Sequence, residues 1–256
     1  MNTALHYHIQ HPIMADPNWE LGGGISESME IAFLVCYAVF AIVAVFFGNM
    51  AALKPLRLMT TFCHEFGHAT VCWLTCGSVD QIQIQQNEGG VTSYKGGCRI
   101  LIVPAGYIGA AFTGASCVAL SGSRIGATIV CAAMTLALLI ALCFQPNKLA
   151  IYMSLCFSVI NIGVILVDYL VFDPFIQFVA LFYGVFIGWL AVRDIFDDLI
   201  GRTVAESDAV SCSKLIPCCF PKCAGVQFWL ISFAFQGMGL YMGLVWLLSE
   251  NEENNN

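Results

Sequence analysis

The segment 63-CHEFGHA-69 carries two histidines and a glutamate at a spacing that suits metal chemistry. On an α-helix, His64 and His68 are four residues apart, so both imidazoles lie on one face and can bind the same ion. Glu65 is offset around the helix, where it can reach a water molecule on that ion without being a ligand. In this H-E-x-x-H arrangement zinc lowers the pKa of its bound water to about 7, and the glutamate accepts the proton. The segment therefore predicts one zinc ion, with Glu65 as the catalytic base.

The surroundings of this motif decide how much weight it carries, because three fixed positions also occur by chance in soluble proteins. Here the motif interrupts an otherwise apolar run over residues 56–76. An ionised acid alone costs about 2.5–3.5 kcal/mol at the centre of a membrane helix. Such a cost persists only where something satisfies the polar groups. The context therefore favours a metal site over histidines that merely pack or cap.

A catalytic zinc ion usually has three protein ligands and one open position, so a third ligand must come from elsewhere. The densest group of distant acids is 193-RDIFDDLIGRTVAESDA-209. Asp197 and Asp194 share a helix face and are the two predicted candidates, against the alternative of a solvated helix end. Asp198 stands four residues before Arg202 and is predicted to pair with it. The other histidines are predicted to lie in a solvated N-terminal tail: His6, His8 and His11.

The composition indicates which elements must position these residues. Of 256 residues, 59% are hydrophobic and 11% are charged, whereas about a quarter are charged in soluble proteins. The apolar excess must face lipid, so the lipid bilayer is an expected partner. Ten Lys and Arg stand against 17 Asp and Glu, and no basic stripe is interleaved with aromatics, so no nucleic-acid partner is expected.

Seven apolar runs are long enough to cross a bilayer as helices. We therefore predict an all-α polytopic membrane protein with about seven transmembrane helices and a small β-hairpin after the second helix. The predicted spans are 31–53, 56–76, 99–121, 124–144, 148–170, 175–196 and 226–248.

The hairpin is predicted near residues 79–95. Ile82, Ile84 and Val91 alternate with polar residues around a turn rich in Asn and Gly. Its edge could accept an extended peptide, or the hairpin could simply join two helices. The following run 104-PAGYIGAAFTGAS-116 is rich in small residues, and we interpret Gly106 and Gly109 as packing residues.

The domain organisation follows from the same runs. Residues 1–30 are predicted as an N-terminal tail, 31–248 as one membrane-embedded domain, and 249–256 as a polar C-terminal tail. A Cys-rich loop is predicted over 210–224. Its adjacent pair, Cys218 and Cys219, does not match a C-x-x-C motif, so reduced or palmitoylated thiols are favoured over a structural zinc site.

Over residues 56–209 the chain resembles the site-2 protease family of intramembrane zinc metallopeptidases, specifically its M50B-like branch. H-E-F-G-H-A on an early helix, the hairpin, P-A-G-Y-I-G and the late R-D-I-F-D-D carry the resemblance. It implies His64 and His68 as zinc ligands, Glu65 as catalytic base, and a transmembrane or membrane-proximal protein as substrate. Better-known members take their third ligand from an N-P and L-D-G motif. That motif is missing here, and residues 194–198 look like its counterpart.

Two other functional classes remain open on the sequence. One is a noncatalytic membrane scaffold that retains a metal-binding core. The other is an ion or proton transporter that uses the same intramembrane polar residues. The sequence shows no internal repeat and no paired broken helices of the kind that mark many transporter sites, which favours the peptidase interpretation.

Overall fold

The computed structural model describes residues 28–171, 174–197, 208–215 and 220–255, together with Trp19 and Leu21. The helices are α1 (Ser28–Phe47), α2 (Lys54–Leu74), α3 (Arg99–Ile102), α4 (Ala105–Leu120), α5 (Arg124–Leu142), α6 (Lys148–Leu170), α7 (Phe175–Ile195), α8 (Asp208–Leu215) and α9 (Pro221–Asn255). A 3-10 turn (Ala51–Leu53) precedes α2, and two strands, β1 (Ser78–Ile84) and β2 (Gly90–Lys95), follow it. Several residues of the sequence-based predictions lie outside the described part of the chain: His6, His8, His11, Asp198, Arg202, Cys218 and Cys219.

Five helices in the described residues are long and apolar enough to cross a membrane: α1, α5, α6, α7 and α9 up to Glu250. Their outward faces carry large exposed apolar side chains, among them Phe46, Tyr152 and Leu170. Such faces are stable against lipid and costly against water. Helix α9 continues to Asn255 and thereby includes most of the segment 249–256 that we predicted as a polar tail.

The predicted number of seven spans is not confirmed. All seven predicted regions contain a helix, but α2 carries too many polar side chains to count as an apolar span. The run predicted as one helix over 99–121 is divided into α3 and α4 around Pro104, which has no N–H to continue a helix. The remaining 16 residues of α4 extend about 24 Å at 1.5 Å per residue, less than the hydrocarbon thickness of about 30 Å.

Helix α7 is the most buried of the five spans and lies at the centre of the bundle. It packs closely on α4 because glycines face each other across the contact. A Cβ built on Gly114 would collide with the backbone of Gly188, and one on Gly184 would collide with Val118. Small residues thus let the two backbones approach, as is common in membrane bundles, and α4 is held against the centre of the protein.

The predicted hairpin is confirmed as a two-stranded antiparallel sheet that runs from the pair Ser78 and Lys95 to the pair Ile84 and Gly90, with an irregularity between Val79 and Gln81. The outer edge of β1 is joined to the α5–α6 connection, where the N–H of Ile82 donates to the carbonyl of Phe144 at 2.9 Å. Among the described residues, the backbone hydrogen bonds of β2 go to β1 alone. The edge of β2 away from β1 therefore has no backbone partner within this part of the chain, and we call it the open edge.

A polar network joins several helix ends at the α5 N-terminus. The Arg124 Nε donates to Asp168 Oδ2 at 2.8 Å, and the N–H of Ile176 donates to Asp168 Oδ1 at 2.9 Å. The Gln177 side chain donates to Glu250 Oε2 at 3.0 Å. These contacts connect the end of α6, the start of α7 and the last part of α9.

Candidate metal centre

Helix α2 places its two histidines side by side. The ring atoms His64 Nε2 and His68 Nε2 lie 3.1 Å apart, as a four-residue spacing on one helical face allows. His68 is buried and His64 is partly buried. Two ring nitrogens at this distance can both serve as ligands of one ion.

The third polar atom at this point comes from Asp208, the first residue of α8. Its Oδ2 lies 3.2 Å from His64 Nε2 and 3.2 Å from His68 Nε2. Within the described residues, His64, His68 and Asp208 form the group whose ligand atoms could hold a metal ion. Two nitrogens and one carboxylate oxygen thus form a nearly equilateral triangle.

The dimensions of this triangle fit a divalent cation. Ligand atoms about 2.0–2.1 Å from a tetrahedral zinc ion lie about 3.3–3.4 Å from each other. Moreover, Asp208 Oδ2 is fully buried and has no hydrogen-bond partner, although both imidazoles are near. A buried carboxylate oxygen without a partner is costly, and a cation between the three atoms would remove that cost.

His68 is oriented by a second contact. Its Nδ1 lies 2.7 Å from the carbonyl oxygen of Ile102. A carbonyl only accepts, so Nδ1 carries a proton, and Nε2 is the ring nitrogen that faces the group and could bind a metal ion. Histidines that bind metals usually have such a partner for the other ring nitrogen. The carbonyl is available at this position because α3 ends at Ile102.

Helix α4 closes one side of the group. A Cβ built on Gly106 would collide with both His64 Nε2 and His68 Nε2. The neighbouring Tyr107 packs its ring edge-to-face on His64, with centroids 4.5 Å apart. Gly106 is therefore a packing residue, as we interpreted it, but the groups that it packs against are the two imidazoles.

Glu65 lies beside the group and is buried, with 5% of its surface exposed. The hairpin covers it. The Thr92 hydroxyl donates to Glu65 Oε2 at 2.6 Å, and a Cβ on Gly90 would collide with the Glu65 carboxylate. The side chain of Glu65 thus packs against β2, and Glu65 lies within one helical turn of both histidines on α2.

Of the two aspartates favoured from the sequence, one borders the cavity in front of the group and the other lies close to Arg193. Asp194 lines the same cavity as His64, His68 and Asp208. Asp197 Oδ2 lies 3.5 Å from Arg193 Nε and is half exposed. Neither belongs to the group of three ligand atoms.

Asp208 belongs to the same acid-rich segment, but the helical spacing of the acids near the end of α7 does not single it out. The signal in the sequence is Ser207, because serine is favoured directly before the first residue of a helix. Asp208 is the first residue of α8.

Burial raises the pKa of the Asp208 carboxyl, but the positive charge that the imidazoles of His68 and His64 carry when protonated lowers it further, and the resulting pKa lies below the usual range. An ionised carboxylate and neutral imidazole nitrogens are the ligand set that zinc accepts in catalytic sites.

A cavity of about 500 Å³ opens in front of these groups. Part of one wall is β2, from Gly90 to Thr92 and at Tyr94, and another part is the polar face of α2 from Thr60 to His68. The open edge of β2 and the group of three ligand atoms therefore border the same space.

The sequence profile of the peptidase M50B-like family matches residues 34–243, which contain both histidines, Glu65 and Asp208. The chain belongs to the peptidase M50B-like family. No curated protein and no solved structure matches this M50B-like chain. Membership confirms the resemblance to site-2 proteases, and with the five apolar helices it makes the chain an integral multi-pass membrane protein.

The Cys-rich segment of this M50B-like protein is only partly described. Cys212 is buried on α8, and Cys223 is exposed near the start of α9. In the part of the chain that the structure describes, neither cysteine belongs to a group that could hold a metal ion.

Proposed function

We propose that this protein is a zinc-dependent intramembrane peptidase that hydrolyses peptide bonds of transmembrane or membrane-proximal protein substrates. The observation that carries the proposal is the convergence of His64 Nε2, His68 Nε2 and Asp208 Oδ2 within 3.2 Å of each other. Two further features accompany this convergence. Glu65 is buried on the same helix as the two histidines, and β2 forms part of the wall of the adjacent cavity.

Each residue has a distinct role in this proposal. His64, His68 and Asp208 would hold one zinc ion, which when bound lowers the pKa of a water molecule to about 7. Glu65 accepts the proton of the attacking water and then donates it to the leaving amine. Because Glu65 lines the cavity beside the three ligand atoms and is not one of them, its carboxylate is available for this transfer.

The five apolar helices and the family membership support the proposed substrate class. A backbone carbonyl within a lipid-embedded helix is hydrogen-bonded inside that helix, so the helix must unwind before its peptide bond can be attacked. The open edge of β2 offers unpaired N–H and C=O groups beside the cavity. An unwound segment can add to this edge by main-chain hydrogen bonds, which would stabilise the extended form that hydrolysis requires.

The test uses purified full-length protein, a transmembrane peptide substrate and elemental analysis. We expect about one zinc per chain in the wild type and in Glu65→Gln, because Glu65 is not a ligand. Turnover should fall at least about 100-fold in Glu65→Gln, since general bases contribute about 10²–10⁴-fold. A Glu65→Gln protein that changes ion flux, or that hydrolyses the peptide at the wild-type rate, would contradict the peptidase assignment.

A second arm tests the substrate requirement. Peptides with a Gly or Pro near the scissile bond unwind more readily than uniformly helical ones, so they should be cleaved faster. Equal rates for both kinds of peptide would argue against attack on an unwound transmembrane segment.

A further inference from the structure

The hairpin contacts the carboxylate of Glu65 directly, in addition to forming a wall of the cavity. On β2, Thr92 pairs with Ile82 and Gly90 pairs with Ile84. Directly paired residues of an antiparallel sheet share a face. Ile82 and Ile84 are fully buried, so this is the face that the hairpin turns towards α2.

Thr92 makes the first contact with Glu65. Its Oγ1 lies 2.6 Å from Glu65 Oε2 and 3.0 Å from the Glu65 carbonyl oxygen. A hydroxyl has one proton to donate, and the shorter distance identifies the carboxylate as the acceptor. A length of about 2.5–2.7 Å is typical of a hydroxyl that donates to an ionised carboxylate, a stronger bond than one between neutral groups.

Gly90 makes the second contact. A Cβ at this position would overlap Oε1, Cγ and Cδ of Glu65, so the strand backbone lies directly against the side chain. A glutamate has three rotatable side-chain bonds and loses that freedom when its position is fixed. Between the Thr92 hydroxyl and the Gly90 backbone, little room remains for the Glu65 carboxylate to leave its position.

The tip of the hairpin is attached to the same face of α2. Arg57 Nη2 lies 2.5 Å from Glu88 Oε1, and the Thr61 hydroxyl lies 2.9 Å from the Glu88 carbonyl oxygen. Arg57, Thr61 and Glu65 follow each other at four-residue intervals, so they lie along one stripe of the helix. The strand that carries Thr92 and Gly90 is thereby fixed relative to Glu65 at two points.

We infer that Thr92 is a positioning residue for Glu65, and that β2 belongs to the catalytic apparatus as well as offering an edge to substrate. The inference rests on the proposed peptidase function. A general base must lie within about 2.6–3.2 Å of the proton that it accepts. Thr92 holds the carboxylate in one orientation before substrate arrives, so the orientation is not lost and regained in each turnover.

The test compares three variants of the full-length protein. Thr92→Val keeps the shape of the side chain and removes the hydroxyl, and Thr92→Ser restores the hydroxyl. Ser93→Ala is the matched control, because Ser93 is the next residue on β2, points to the other face, and accepts from Gln81 Nε2 at 3.3 Å. The measured quantities are kcat, KM and bound zinc.

We expect kcat of Thr92→Val to fall about tenfold or more, with KM and zinc content unchanged. Thr92→Ser should recover most of the rate, and Ser93→Ala should behave as the wild type. Wild-type kcat in Thr92→Val would overturn the inference. So would an equal loss in Thr92→Ser, because that outcome attributes the effect to packing of the methyl group.

A thermal double-mutant cycle tests the contact without using turnover. Thr92→Val should lower the unfolding temperature by about 2–4 °C in the wild type and by clearly less in Glu65→Ala, where the carboxylate is gone and only the backbone carbonyl of residue 65 can still accept from the hydroxyl. Equal shifts in both backgrounds would overturn the inference. Failure of the proposed function is recognised separately, because zinc-loaded wild type would then cleave no transmembrane peptide, whatever stands at position 92.

Discussion

Oδ2 of Asp208 lies 3.2 Å from Nε2 of His64, although more than half of the chain separates the two residues in sequence. His64 is fixed on the long helix α2, whereas Asp208 begins the short helix α8. The same oxygen lies 3.2 Å from Nε2 of His68. The candidate metal centre therefore depends on how the segment after α7 returns to α2.

Replacement of Asp208 by Asn should remove the metal, since it eliminates the charge of the proposed third ligand and retains its shape. Loss of a residue that only hydrogen-bonds to a metal ligand lowers metal affinity by up to about 100-fold. We expect loss of a ligand itself to lower zinc affinity by more than that. Elemental analysis and zinc titration of purified protein measure this. Asp197→Asn and Asp194→Asn are the controls and should keep wild-type zinc content. Loss of zinc in either variant would contradict the assignment of Asp208 and indicate a third ligand at the end of α7.

Gly106→Ala should also lose zinc, although Gly106 is not a ligand. The added methyl group would overlap both His64 Nε2 and His68 Nε2, so the rings or α4 must move, at a cost of about 1–3 kcal/mol. Gly163→Ala is the matched control, because a Cβ there meets nothing within 4 Å. Zinc content and unfolding temperature should change for Gly106→Ala alone, and full zinc occupancy in that variant would contradict the observed packing.

Glu88→Gln should loosen the hairpin without removing zinc. The Arg57 and Glu88 side chains are only 16% and 29% exposed, and loss of a pair of this kind costs up to about 1 kcal/mol, or about fivefold in an opening equilibrium. Hydrogen exchange of the β2 amides measures that opening. Asp80→Asn serves as the control, because its ion pair with Lys95 is largely exposed, and its β2 exchange should match the wild type.

Asp168→Asn should lower stability while leaving the metal centre intact. Asp168 accepts from Arg124 and from the N–H of Ile176, so the change leaves Arg124 with a weaker partner. The cost should stay below the about 3–5 kcal/mol of a fully buried pair, because Arg124 is partly exposed. Ile176 and Asp194 lie about 27 Å apart along α7, so zinc content should not change. Loss of zinc together with stability would show that the two ends of the bundle are coupled.

Much of the local geometry could be predicted from the sequence. The period of an α-helix alone brings residues four apart onto one face, so His64 and His68 were expected to meet. The alternation of Ile82 and Ile84 before a Gly-rich turn was sufficient for the hairpin. The apolar runs marked the membrane helices, because lipid contact requires apolar side chains at nearly every outward position.

The path of the chain between α7 and α8 could not be predicted in the same way. Asp194 and Asp197 had the favourable helical spacing, but α7 ends at Ile195 and α8 restarts at Asp208. Which acid reaches the histidines depends on the packing of α8 near α2 and α4, which is a long-range property. The contacts of Glu65 with Thr92 and Gly90 likewise depend on the side on which the hairpin folds over α2.

The sequence alone determines that this is a membrane protein with an H-E-x-x-H motif on one face of a helix. Both features depend only on residues that are close together in the sequence, through the apolar runs and the helical period. Tertiary structure decided that Asp208 completes the group of ligand atoms, that Gly106 leaves room for the imidazoles, and that Thr92 contacts the base. These are contacts between residues remote in sequence, and their formation depends on close packing of whole helices and strands.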